Sequence, residues 1–141
     1  HGGLFPIHLG GSGDNTGTAV KWKAERQLPN IPSPLLYRDV LYILKEGGIL
    51  TAYHPKTGAI LKQGRVDGAI AAYFASPVAG DGKIYTAAQD GKVAVLKAAA
   101  QWEVLKVNEF DEEIWSTPAI ENGRIYLRTQ KGLYCFGLTE N

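Results

Sequence analysis

Methionine is absent from this 141-residue chain, and cysteine occurs once, at Cys135. A single thiol closes no internal disulfide, so cysteine usage leaves the redox compartment open. Residue 1 is not a translational start, and the segment is expected to be processed or part of something longer. Charge of one sign is lacking too: 15 Lys and Arg stand against 14 Asp and Glu. With no net field to attract a polyanion, no nucleic-acid partner is expected. No run approaches the roughly 18 consecutive apolar residues of a spanning helix, so no membrane span is expected, and no basic start leads into a short apolar leader core. Helical periodicity is missing from every window of about 11 to 18 residues, which excludes a mainly α-helical fold. What the chain does hold is 17 Gly, 7 Pro and a rich set of aromatics, the make-up of one turn-rich globular domain.

The chain repeats itself. Ser33-Pro34-Leu35-Leu36, Ser76-Pro77-Val78-Ala79 and Thr117-Pro118-Ala119-Ile120 are three versions of one phrase, with prolines 43 and 41 residues apart. Eight residues after each proline a tyrosine stands in an apolar run, at Tyr42, Tyr85 and Tyr126, and six residues later come Gly48, Gly91 and Gly132. Between proline and tyrosine, Asp81-Gly82 and Asn122-Gly123 are dipeptides that accept positive φ at both centres of a type I′ hairpin turn. Arg38-Asp39 is the poorer equivalent in the first unit. Second turns at Glu46-Gly47-Gly48, Gln89-Asp90-Gly91 and Gln130-Lys131-Gly132 lead into Ile49 to Tyr53, Val93 to Leu96 and Leu133 to Phe136. Fourth strands follow as Ala59 to Leu61 and Trp102 to Leu105.

Four antiparallel strands in roughly 40 to 45 residues make a β-propeller blade. Val40 to Leu44 is apolar at every position, so it needs cover on both faces, which stacked blades supply. A β-sandwich of hairpins is the alternative, and it calls for cleaner apolar/polar alternation. The fold class is therefore all-β, in about three propeller blades.

The phrase from Ser76 to Tyr85, together with the Thr57-Gly58 turn, resembles the PQQ-like (pyrroloquinoline-quinone-like) repeat of quinoprotein-dehydrogenase and BamB-type propellers. The resemblance covers residues 15–137, behind a Gly-rich entry segment 1–14 and ahead of a tail 138–141. It divides the repeats into an outer strand 18–26, blades 34–66 and 76–107, and an incomplete blade 116–137. The family's tryptophan near the end of the fourth strand has its counterparts in Trp22 and Trp102, while Lys62-Gln63 takes its place in the first complete unit. The resemblance implies an extracytoplasmic location, periplasmic or secreted.

Sites for chemistry are few. Gly11-Ser12-Gly13-Asp14-Asn15-Thr16 starts like a dinucleotide fingerprint but ends in Thr with no helix to follow, so an entry loop is the better reading. His1, His8 and His54 are too scattered for a ligand pair, and one cysteine makes no thiolate zinc site. Cys135, between Tyr134 and Phe136, is expected to be a buried, inert thiol. Glu109, Asp111, Glu112 and Glu113 crowd one inter-blade connection, either as a solvated loop or as oxygen ligands for calcium. Trp115, with Tyr73, Phe74, Arg26 and the carboxylates Glu112 and Glu113, reads either as a binding platform or as inter-blade packing.

Two functions follow. The first is a non-catalytic scaffold presenting a face to a protein or glycan partner, with no cofactor and no catalytic or metal residue. The alternative is a fragment of a quinone-dependent dehydrogenase, for which the resemblance implies PQQ and calcium held in other blades. Neither motif set of that activity maps onto this sequence, and a shared repeat does not carry an activity across. The divided blade at the two ends also needs cover, from the remaining blades of a parent chain or from a second copy exchanging terminal strands.

Overall fold

The computed structural model describes residues 2–138, and among these it has eleven strands and no helix. Blade 1 is the sheet of β1 (Leu35–Tyr37), β2 (Val40–Lys45), β3 (Ile49–Tyr53) and β4 (Ile60–Arg65), paired antiparallel in chain order. Blade 2 repeats this with β5 (Val78–Gly80), β6 (Lys83–Ala87), β7 (Lys92–Lys97) and β8 (Glu103–Glu109). Blade 3 has three strands, β9 (Ala119–Glu121), β10 (Arg124–Arg128) and β11 (Leu133–Gly137).

The tight turns obey the backbone chemistry of their dipeptides. Asp81 and Gly82 have φ of 49° and 70°, and Asn122 and Gly123 have 48° and 71°, so both central residues are left-handed as a type I′ turn requires. Arg38 and Asp39 adopt the same conformation, at 48° and 57°, without a glycine. Gly91 shows why the second turn needs its glycine. At φ +90° a Cβ there would lie 2.1 Å from the Phe110 carbonyl oxygen.

The repeated Ser/Thr-Pro phrase has a physical meaning. The Ser33 amide donates to Ser76 Oγ at 2.9 Å, and the Ser76 amide donates to Thr117 Oγ1 at 2.9 Å. Each blade entry is thus stapled to the equivalent position of the next, and the inner strands β1, β5 and β9 lie side by side. Proline, which has no amide hydrogen to satisfy, fits the start of a strand at such an edge.

Side chains then close the seams. Tyr42, Leu44, Leu50 and Ala52 of blade 1 pack with Ile84, Ala94, Leu96 and Trp102 of blade 2 in one buried cluster. The Tyr42 hydroxyl donates to the Ala99 carbonyl at 3.1 Å, tying β2 to the β7–β8 turn. Trp102 is 3% exposed and the six-membered part of its indole lies against Gly64 of β4, while the Lys62 ammonium sits 4.3 Å from the ring centroid. A smaller cluster of Ala75, Ala87, Ile114 and Leu127 closes the seam between blades 2 and 3. As the apolar run implied, Tyr42, Ile43 and Leu44 are buried on both faces of β2.

Two expectations are corrected or redrawn. Residues 18–26 form no outer strand; Val20 and Ala24 make single bridges back to Ile7 and Leu4 of the entry segment, because no third strand lies beside them among the described residues. Trp22 still docks, with Nε1 donating to the Pro55 carbonyl at 2.8 Å and its ring stacked 5.7 Å from Tyr53. Cys135 is exposed rather than buried. Its repeat counterparts lie on third strands covered by a fourth, whereas β11 is the edge of a three-stranded sheet, with Leu133 67% and Phe136 44% exposed.

Two outcomes are expected. The Trp102 indole N–H is buried with no acceptor among the described residues, so Trp102→Phe removes no hydrogen bond found there and costs under about 1.5 kcal/mol in denaturant titration, whereas Trp102→Ala costs about 3–5 kcal/mol. A native-state thiol assay labels Cys135 at the rate of a free peptide thiol, and Cys135→Ser shifts stability by no more than about 0.5 kcal/mol.

Candidate partner-binding face

The loops that enter each inner strand are held by backbone bonds to the second turns of the blades on either side. Gly47 donates to the Ala71 carbonyl at 2.8 Å and Gln89 to the Ala72 carbonyl at 2.9 Å. One repeat on, Ile114 donates to the Gln89 carbonyl at 3.1 Å and Gln130 to the Glu113 carbonyl at 2.9 Å. These bonds fix which side chains of the loops turn inward and which outward.

Tyr73 turns inward. It is 1% exposed, its hydroxyl donates to the Ala69 carbonyl at 2.6 Å, and burial pushes its pKa up to about 12, against a small opposing pull from the facing Thr86 hydroxyl. It is a packing residue and offers nothing to a partner. Glu112 is likewise committed. Its carboxylate accepts from the Thr129 hydroxyl, from the Lys131 amide at 3.2 Å and from the Tyr134 hydroxyl at 2.7 Å, clipping the inter-blade connection to the β10–β11 turn. The Thr129 bond first, and the Tyr134 bond next, hold Glu112 below the usual carboxylate range.

Phe74 and Trp115 turn outward. Their rings pack at 4.4 Å between centroids, tilted by 37°, and Trp115 is 50% exposed. Glu113 Oε2 accepts the Trp115 indole N–H at 3.0 Å, which fixes the ring plane and sets a carboxylate at its edge. The structure therefore brings together three of the six residues singled out in sequence, Phe74, Glu113 and Trp115. Arg26 lies elsewhere, in a groove with Tyr53, Gly58, Ile60 and Gln63. Ile31, 56% exposed, was not singled out, yet it stands three residues before Pro34 as Phe74 stands before Pro77 and Trp115 before Pro118. That register was the signal for it.

Among the described residues, no three or more His, Cys, Asp or Glu side chains converge as a cation would require. His54 sits in a turn, where Nδ1 accepts the Lys56 amide at 3.3 Å. A cavity of about 310 Å³ separates Tyr85, Val93 and Val95 of blade 2 from Ile125, Leu127 and Phe136 of blade 3. It belongs to the seam, since the equivalent Tyr42 face of blade 1 is covered by Ala99 and Trp102.

The Glu112 clip has a pH signature. Its folded pKa lies below the ordinary 4.5, so its contribution is complete above that value and is lost as the pH falls through the lowered one. Glu112→Gln is expected to be less stable at neutral pH and to show a shallower fall in melting temperature between about pH 5 and pH 3.

Residues 14–139 match the family described as outer membrane protein assembly factor BamB. No curated protein matches. Among solved structures, BamB from Moraxella catarrhalis superposes with a TM-score of 0.67 at 19% identity, over 84% of this chain and 36% of that one. The quinohemoprotein alcohol dehydrogenases ADHIIG from Pseudomonas putida HK5 and that of Comamonas testosteroni each give 0.58, at 14% and 15% identity. They are matched over 70% and 72% of this chain, but over only 16% and 17% of their own lengths. At such identities the likeness is one of fold, and the chain spans about a third or less of each of these proteins. Three antiparallel blades, their stapled Ser/Thr-Pro entries and a family match over nearly the whole sequence make this chain a member of the BamB-type PQQ-like repeat β-propeller family.

Proposed function

We propose that the chain is a non-catalytic portion of a β-propeller scaffold that offers one face to a protein partner. The observation that carries this reading is the outward Phe74–Trp115 pair. A half-exposed tryptophan is a large apolar contact at small conformational cost, and here its ring is fixed by Phe74 and by Glu113, so little freedom is lost when a partner covers it. A protein suits this face better than a glycan, because the row continues with aliphatic Ile31 rather than with the convergent polar groups a sugar needs. Family membership supports an extracytoplasmic, envelope-associated setting.

The second reading, part of a quinone-dependent dehydrogenase, has the fold likeness to the quinohemoprotein enzymes in its favour. The two readings separate in a fluorescence titration. Added PQQ with calcium is expected to leave the emission of Trp22, Trp102 and Trp115 free of saturable change, and saturable quenching at micromolar PQQ overturns the scaffold-only reading.

A further inference from the structure

We infer that the Phe74–Trp115 face takes an extended basic segment of a protein partner, with an Arg or Lys side chain laid on Trp115 against Glu113; this rests on the scaffold reading above. The geometry begins with the staples. Ser33, Ser76 and Thr117 are joined amide to hydroxyl, so the residues two positions before them, Ile31, Phe74 and Trp115, form one row across three blade entries. The chain alternates there: Pro32 and Ala75 are buried while Ile31 and Trp115 are exposed. An apolar row running from blade to blade is the shape of an extended chain that crosses them.

Charge selects the chemistry of that chain. The face of an indole is the negative end of its quadrupole and attracts cations. Glu113 has one carboxylate oxygen on the Trp115 N–H and, among the described residues, no ion-pair partner. A guanidinium stacked on the ring would meet that carboxylate in a charge-assisted bond. The neighbouring groups do not fill the role. Lys131 directs its ammonium to the Asp111 carbonyl at 3.3 Å, and Asp111 and Glu112 add negative charge. The same carboxylates disfavour an anionic lipid surface as the occupant.

The test follows the indole N–H resonances of the isotope-labelled chain, with Trp115 assigned through Trp115→Phe. The probes are acetyl-Leu-Arg-Leu-Arg-amide, its Gln-for-Arg and Glu-for-Arg counterparts, and maltotriose. The Arg peptide is expected to shift the Trp115 signal saturably and leave Trp22 and Trp102 in place. Glu113→Gln, or salt at about 0.5 M, should weaken that binding about three- to tenfold, and the Glu peptide should not bind. Equal binding of the Arg and Gln peptides, unaffected by Glu113→Gln, overturns the basic preference and leaves the scaffold reading standing. Binding of maltotriose alone, or of no probe, overturns the inference, and saturable PQQ quenching removes the scaffold reading beneath it. Unmoved Trp22 and Trp102 signals in Glu113→Gln show that the variant is folded.

Discussion

One hydrogen bond, repeated, sets the architecture: the amide of the Ser that opens a blade's Ser-Pro strand entry donates to the Ser or Thr hydroxyl at the same position of the next blade. A blade is a small twisted sheet with two apolar faces, and many relative placements of two such sheets would bury similar area. The staple removes that freedom. It fixes the neighbour at the inner strand, where both partners are ordered by proline and by the loops behind them. The amide and hydroxyl satisfy each other there, and proline contributes no further donor.

With the inner ends fixed, the outer strands decide how well each seam closes. Between blades 1 and 2 the closure is complete, since Tyr42 reaches Ala99 and the buried Trp102 indole meets Gly64. Between blades 2 and 3 it is partial. Without a fourth strand beside β11 among the described residues, the Tyr85 face meets a cavity, and Phe136 and Cys135 meet solvent. The same repeat thus gives a dry seam or an open one according to the strand that follows it.

The candidate face is a by-product of this order. Loops held by bonds to Gly47, Gln89 and Gln130 cannot turn all their residues inward. Tyr73 and Ile114 take the buried positions, and Phe74 and Trp115 are left outside on a rigid backbone. Glu112 and Glu113, adjacent in sequence, are divided in the same way. The first is used up in clipping Thr129, Lys131 and Tyr134, and the second orients the half-exposed Trp115 ring.

The blades, their strand order and their turns were determined by the sequence, because these depend on local physics: Asp-Gly and Asn-Gly accept left-handed φ, an uninterrupted apolar strand demands two covers, and a repeat at a fixed spacing demands stacking. The site was legible only in part. Phe74, Glu113 and Trp115 could be named from residue type, but Tyr73 and Glu112 look the same in sequence, and only long-range bonds to Ala69, Thr129 and Tyr134 show that they serve the fold. Ile31 was visible in the repeat register, though its exposure was not. Cys135 carried the sharpest reversal. Flanking aromatics indicate a core position, but burial is decided by what lies across the sheet edge, and that neighbour is a tertiary fact which no stretch of three residues encodes.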